Sequence, residues 1–95
     1  MSDLDELTEE LLQDPSFAEE YEKLKGERDL TMSLINARKN AGLTQKELSK
    51  TSGISQADIS RLENGSRNPS LALLQRIADA LNLSLRIEMI PRTPA

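Results

Sequence analysis

The sequence predicts an all-α protein that ends in one β-strand. Three observations carry this. Apolar residues recur at helical spacing from Leu4 to Leu81, and most of these runs open on Asp, Ser or Thr. Only residues 84–90 alternate with a period of two. At 95 residues, the chain has room for one small domain with appendages.

The elements follow in order. Leu4, Leu7 and Leu11 fall at i, i+3, i+7 and predict an amphipathic helix with one leucine stripe. Asp14-Pro15 predicts a helix start, with Asp as cap and Pro where its missing N–H costs nothing. Phe17, Tyr21 and Leu24 give that helix an apolar stripe, and Lys25-Gly26 is expected to end it. A first core helix is expected from near Asp29 to Gly42, with Met32, Leu34, Ile35, Ala37 and Ala41 as its apolar residues. Thr44 with Glu47 forms a capping box, Leu48 faces inward, and Gly53 supplies a residue that tolerates positive φ. Ser55 caps the next helix, where Ile59 and Leu62 face inward while Gln56, Ala57, Ser60 and Arg61 face out. Ser70 caps a further helix with Leu71, Leu74, Ile77, Ala78 and Leu81 on its core face.

Two short helices joined by a glycine turn make a helix-turn-helix, whose second helix is sized for the major groove of DNA. The ordered set R-x-x-x-G-L-T-Q-x-E-L (Arg38 to Leu48), G-I-S-Q-x-x-I-S-R-L-E-N-G (Gly53 to Gly65) and N-P-S-L (Asn68 to Leu71) resembles the Xre/Cro-type helix-turn-helix family. The fold expected from this resemblance is an all-α, five-helix Xre/Cro-type core with an N-terminal helical extension and a C-terminal strand pairing in a dimer. The chain then divides into an acidic extension (1–28), a helix-turn-helix domain (29–83), a dimerisation strand (84–90) and a tail (91–95).

Charge follows the same division. Residues 1–30 hold eleven acids against three bases, a net −8, whereas residues 31–95 hold nine bases against five acids, a net +4. An acidic extension of this kind either keeps a small protein soluble or binds a basic partner. The D-P-x-F-x-x-x-Y-x-x-L segment that leads into the core resembles the HigA-like antitoxins of bacterial toxin–antitoxin pairs. That resemblance implies a small basic toxin similar to the RelE/HigB-like mRNA-cleaving enzymes, held by Leu4, Leu7, Leu11, Phe17, Tyr21 and Leu24. Phe17 and Tyr21 are equally open to packing on the domain.

The candidate DNA contacts are Thr44 and Gln45 at the start of the scaffold helix, where backbone N–H groups favour phosphate. They continue with Gln56, Ala57, Ser60 and Arg61 on the second helix, since Gln pairs with adenine, Arg with guanine and an Ala methyl with a thymine methyl. Ser55 is ambiguous, because its cap occupies the hydroxyl. Asn64, Ser66, Arg67 and Asn68 resemble the family's phosphate clamp. Arg38 and Glu63 stand where the family forms a structural ion pair and are expected to serve the fold rather than the bases.

The strand brings a partner requirement, because one strand lacks a ladder for its backbone groups. With a two-fold axis at Ile87 in an antiparallel pair, Arg86 of each copy faces Glu88 of the other, and Leu85 and Met89 complete the pairing. A homodimer is expected; the alternatives are a different protein as the strand's partner or an internal hairpin, for which the chain holds no second strand pattern. A core this small buries only ~60% of the surface its chain would expose, which also favours a second copy.

Other functions are disfavoured. No Cys and no His occur, which removes disulfides, Cys/His zinc sites and the usual thiol and imidazole catalysts. No cofactor is expected, nor an enzyme: the acids lie without metal spacing or a glycine-rich phosphate loop. No apolar run reaches membrane-spanning length and no signal-peptide pattern opens the chain, so a cytoplasmic bacterial protein with no membrane partner is expected. The favoured function is an antitoxin that neutralises its toxin and represses its own operon by binding a palindromic operator as a dimer. The alternative is a stand-alone repressor of phage or host origin.

Overall fold

A computed structural model describes residue 10 and residues 13–92; among them are four helices, α1 (Pro15–Asn40), α2 (Gln45–Ser52), α3 (Gln56–Glu63) and α4 (Leu71–Ala80). Leu4, Leu7 and Leu11, with their predicted stripe, lie outside the described residues. The chain divides into one unit of residues 28–87 and another made of the residues before 28 and after 87.

Helix α1 opens as its sequence requires. The Asp14 carboxylate accepts from the N–H of Ser16 at 2.9 Å and of Phe17 at 3.4 Å, and Pro15 takes the first position. The helix does not stop at Gly26. It continues for 26 residues to Asn40, so the expected break between an extension helix and a first core helix is corrected to one continuous helix. A mid-helix glycine costs only ~1 kcal/mol relative to alanine. Its neighbours Lys23, Leu24, Lys25, Glu27 and Arg28 are strong helix formers without a competing cap. The end comes where Gly42 takes φ +73°. There the N–H groups of Gly42 and Leu43 bond back to the carbonyls of Lys39 and Arg38.

Helices α2 and α3 start at their predicted caps. Thr44 Oγ1 accepts from the Glu47 N–H while Glu47 Oε1 accepts from the Thr44 N–H, both at 3.1 Å. Ser55 Oγ accepts from the Asp58 N–H, also at 3.1 Å. Between them Gly53 sits at φ +73° and ends α2. Arg76 of α4 donates from Nε to the Ser52 carbonyl at 3.1 Å and from Nη2 to the Gly53 carbonyl at 3.2 Å, which holds the turn from outside. Helix α4 follows its Ser70 cap, and past its end the chain turns at Asn82, where φ is +57° and the Leu83 N–H reaches the Ala78 carbonyl.

The core of the 28–87 unit is Leu48, Ile54, Ile59, Leu62 and Ile77, with Leu34, Leu73, Ala80 and Leu81 packed against it. Burying side chains of this size stabilises by ~1.5–3 kcal/mol each. Three predicted core residues are placed otherwise, among them Ala41, exposed just past the end of α1. Leu71 is 64% exposed, its place on α4 being taken by Leu73, and Met32 is exposed on α1. Position 71 is the first residue of α4, where the helix has not yet reached the core.

Two corrections concern the fold class. Among the described residues the helices number four rather than five, and there is no strand. Residues 83–92 follow Asn82 without regular structure, and Met89 is 97% exposed. The physical reason is the missing ladder: period-two alternation specifies which face a strand would bury, but a single copy of the chain gives its backbone groups nothing to pair with. Among the described residues no helix is long and apolar enough to cross a membrane.

Candidate nucleic-acid interface

Helix α3 buries Ile59 and Leu62 and turns the opposite side outward. At about 100° per residue, Gln56, Ala57, Ser60 and Arg61 fall on one outward face. Gln56, Ala57 and Arg61 are exposed and Ser60 is half-buried. A capped end, a buried seam and a polar outer face give a short rigid rod that presents side chains at fixed height. Such a rod fits the ~12 Å width of the DNA major groove.

The charged side chains on this face are bound to one another. Arg61 Nη1 contacts Asp58 Oδ1 at 3.1 Å. Arg67 Nη1, from the loop after α3, contacts the same Oδ1 at 2.8 Å. Both guanidiniums remain reachable, at 59% and 42% side-chain exposure. The hydrogen bond from Arg67, with the Ser55 contact and the positive charges of Arg67 and Arg61, holds the Asp58 carboxyl below the usual carboxylate range. Asp58 is absent from the sequence-derived site. Its i, i+3 spacing to Arg61 was the available signal; its pairing with Arg67 across a loop left none.

The loop itself is shaped by local bonds. Asn64 Oδ1 accepts from the backbone N–H of Ser66 at 2.9 Å and from its hydroxyl at 2.6 Å, around Gly65 at φ +80°. Asn64, Ser66, Arg67 and Asn68 are all exposed. Thr44 is exposed at the start of α2, its oxygen accepting the cap bond and its O–H left as a donor. Ser55 likewise uses its oxygen for the cap.

Gln45 is placed differently from the other candidates. It is half-buried, and its Nε2 donates to Glu63 Oε1 at 3.2 Å. Glu63 in turn receives Arg38 in a fork, Nε to Oε2 at 2.7 Å and Nη2 to Oε1 at 2.9 Å. The remaining Arg38 nitrogen, Nη1, donates to the Leu43 carbonyl at 2.7 Å. The pair is largely removed from water, at 11% and 8% side-chain exposure. Burial pushes the Glu63 carboxyl up, and the bonds from Arg38 and Gln45 outweigh it, leaving it below its ordinary value. The Glu63 bond raises Arg38 in return. One carboxylate therefore ties α1, the start of α2 and the end of α3 together and fixes the pitch of the outward face.

The remaining candidates are on α1 and in the segment that follows α4. Phe17 is half-buried, and its ring stacks with that of Tyr21 at a centroid distance of 6.2 Å. Tyr21 is at the exposed limit and Leu24 is exposed. Leu85 is half-buried, while Arg86, Ile87, Glu88 and Met89 are exposed.

Comparison with known proteins adds to this geometry. A family model described as helix-turn-helix matches residues 34–87. The chain is 37% identical over 81 residues to the antitoxin HigA1 of Mycobacterium tuberculosis, covering 85% of this chain and 54% of that protein. The chain thus spans about half the length of these HigA1 relatives. It is 36% identical over 67 residues to the antitoxin HipB of Escherichia coli, covering 70% of this chain and 71% of the other. An uncharacterised HTH-type transcriptional regulator of Sinorhizobium fredii, y4dJ, is 43% identical over 56 residues, or 59% of this chain and 71% of its own. Among solved structures there is no significant match.

Proposed function

The chain belongs to the Xre-type helix-turn-helix family, and on that premise we propose that it is a DNA-binding antitoxin that represses its own operon. Helix α3 enters the major groove of an operator, with Gln56, Ala57 and Arg61 against base edges and Ser60 beside them. Thr44, Asn64, Ser66, Arg67 and Asn68 meet phosphates on either side. Gln45 acts through Glu63 rather than on DNA. A basic reading face in a chain of net charge −4 is consistent with this, because the excess acid lies in residues 1–30.

The observation that carries the antitoxin reading is the reach of the likeness. An alignment of 81 residues with HigA1 is longer than the matched helix-turn-helix span of 34–87, so it includes sequence outside the DNA-reading domain. In our reading that outside sequence is the acidic segment 1–28, which holds a small basic toxin of the RelE/HigB-like, mRNA-cleaving kind. Complementary charge would speed the encounter of the two proteins. Tyr21 and Leu24 are exposed and available as apolar contacts.

A homodimer completes the proposal. Ile87, Met89 and Ile90 are 60%, 97% and 75% exposed, apolar surface that a second copy would cover. Two copies would set their α3 helices against half-sites about one helical turn, ~34 Å, apart.

A stand-alone repressor is the second reading, favoured by the regulators that match over about 56 residues with no toxin in their names. One experiment separates the two. The full chain and a variant lacking residues 1–27 are purified from the native host and tested on the DNA upstream of their own gene. Both readings expect the two forms to bind that DNA. An antitoxin also brings down a stoichiometric small basic protein that is lost with residues 1–27, and that arrests growth unless the full chain is present. A chain that comes down alone, and whose truncation leaves growth unaffected, is a repressor only.

A further inference from the structure

Asp58 stands out because it is the acid among the α3 residues that reach the DNA-facing side, and because both of that side's arginines end on one of its oxygens. It lies roughly 60° around the helix from Arg61, at the margin of the outward face. The two contacts, 3.1 Å from Arg61 and 2.8 Å from Arg67, converge on Oδ1. Arg61 comes from the helix proposed to read bases, and Arg67 from the loop proposed to clamp phosphate.

The geometry points to Asp58 as a specificity-determining residue that holds both arginines back from indiscriminate phosphate contact and releases them only to a fitting operator. This rests on the DNA-binding reading above. On an unrelated duplex each guanidinium can gain one phosphate, but it must give up a carboxylate already in place. The exchange replaces one charge-assisted bond with another of similar kind, and when both arginines make it Asp58 faces the polyanion unpaired. On the operator, Arg61 instead gains a bidentate base contact, which offsets the loss. The shared carboxylate also links the two arginines: displacing one leaves Asp58 to the other, so base and backbone contacts are not independent. The lowered affinity of Asp58 for a proton agrees with a group that stays charged throughout the neutral range.

The test is the variant Asp58→Asn, which keeps the shape and the backbone N–H bonded to Ser55 but removes the charge, with Asp58→Glu as the charge-restoring control. Binding of the full-length protein to its own upstream DNA and to an unrelated duplex is followed from about 50 to 200 mM salt. One to two additional phosphate contacts steepen the salt slope by about 0.9 each, so over that range Asp58→Asn should lose roughly three- to twelvefold more affinity for the unrelated duplex than the native chain does. At low salt it should bind that duplex more tightly, narrowing the ratio between operator and unrelated DNA, and Asp58→Glu should return both toward native values. An Asp58→Asn protein with native affinity and native salt slope on unrelated DNA overturns the proposal. So does a uniform loss on both duplexes that Asp58→Glu does not repair, since that is the mark of a merely structural role. Failure of the native chain to select its own upstream DNA would instead overturn the reading beneath it.

Discussion

Arg61 and Arg67 share a carboxylate but are expected to fail differently when removed. Arg61→Ala should cost at least ~1 kcal/mol of operator binding and relax preference at one base position, read by titrating a set of single-base operator variants. Arg67→Ala should weaken binding to every single-base variant of the operator alike and flatten the salt dependence of operator binding; altered base preference with an unchanged slope would contradict a phosphate role. Glu63 is a different kind of residue, since its loss strands the buried Arg38 guanidinium and the Gln45 amide. Glu63→Ala should destabilise the fold by about 3 kcal/mol, seen as a lower urea midpoint. The same variant carries a pH signature. The Glu63 carboxyl lies below its ordinary value in the folded protein, so between the two values the unfolded chain binds more protons and stability rises with pH. Its contribution is present above the usual carboxylate range and is lost as pH falls through the lowered folded value. Melts at a series of acidic pH values should show a shallower decline for Glu63→Ala than for the native chain.

At the scale of elements, glycines separate two outcomes. Gly26 sits inside α1 with open space where a Cβ would go. Gly26→Ala should therefore stabilise by ~0.5–1 kcal/mol and raise the helical signal, measured by circular dichroism on heating. Gly53 is left-handed at φ +73°, and a Cβ there would lie 2.9 Å from Arg76 Nη2. Gly53→Ala should cost ~1–2 kcal/mol from the backbone alone, with displacement of Arg76 in addition. These two positions also mark how far the elements were legible. Thr44, Ser55 and Ser70 announced their helices because a cap is a local device: the side chain and the N–H it satisfies lie three residues apart. Gly53 was legible as a stop because a helix end needs the left-handed conformation. Gly26 was misread as one because glycine in a sequence does not reveal whether its neighbours will carry the helix through. The outward face of α3 followed from Ile59 and Leu62 facing in. Asp58 joining Arg67, and Gln45 joining Glu63, did not, because these pairs form only once distant segments have docked.

For the whole molecule, the alternation at 84–90 raises the question of a second copy. Ile87→Asp should give a monomer by sedimentation equilibrium and lose most affinity for a two-half-site operator with unchanged helical content; a native dimer in that variant would remove this segment from the interface. The alternation was legible in sequence, but whether it becomes a strand is decided by a partner the sequence does not contain. Arg76 bears on the molecule in another way. The turn between α2 and α3 is gripped by a guanidinium that arrives 23 and 24 residues later along the chain, on the two carbonyls that close α2. The reading device is therefore not portable as residues 44–64. Grafted onto another scaffold or synthesised as a peptide, it would carry its caps and its glycine but leave the corner unfastened. A transplant that preserves the angle between the two helices has to bring α4 along or supply a cation at that point.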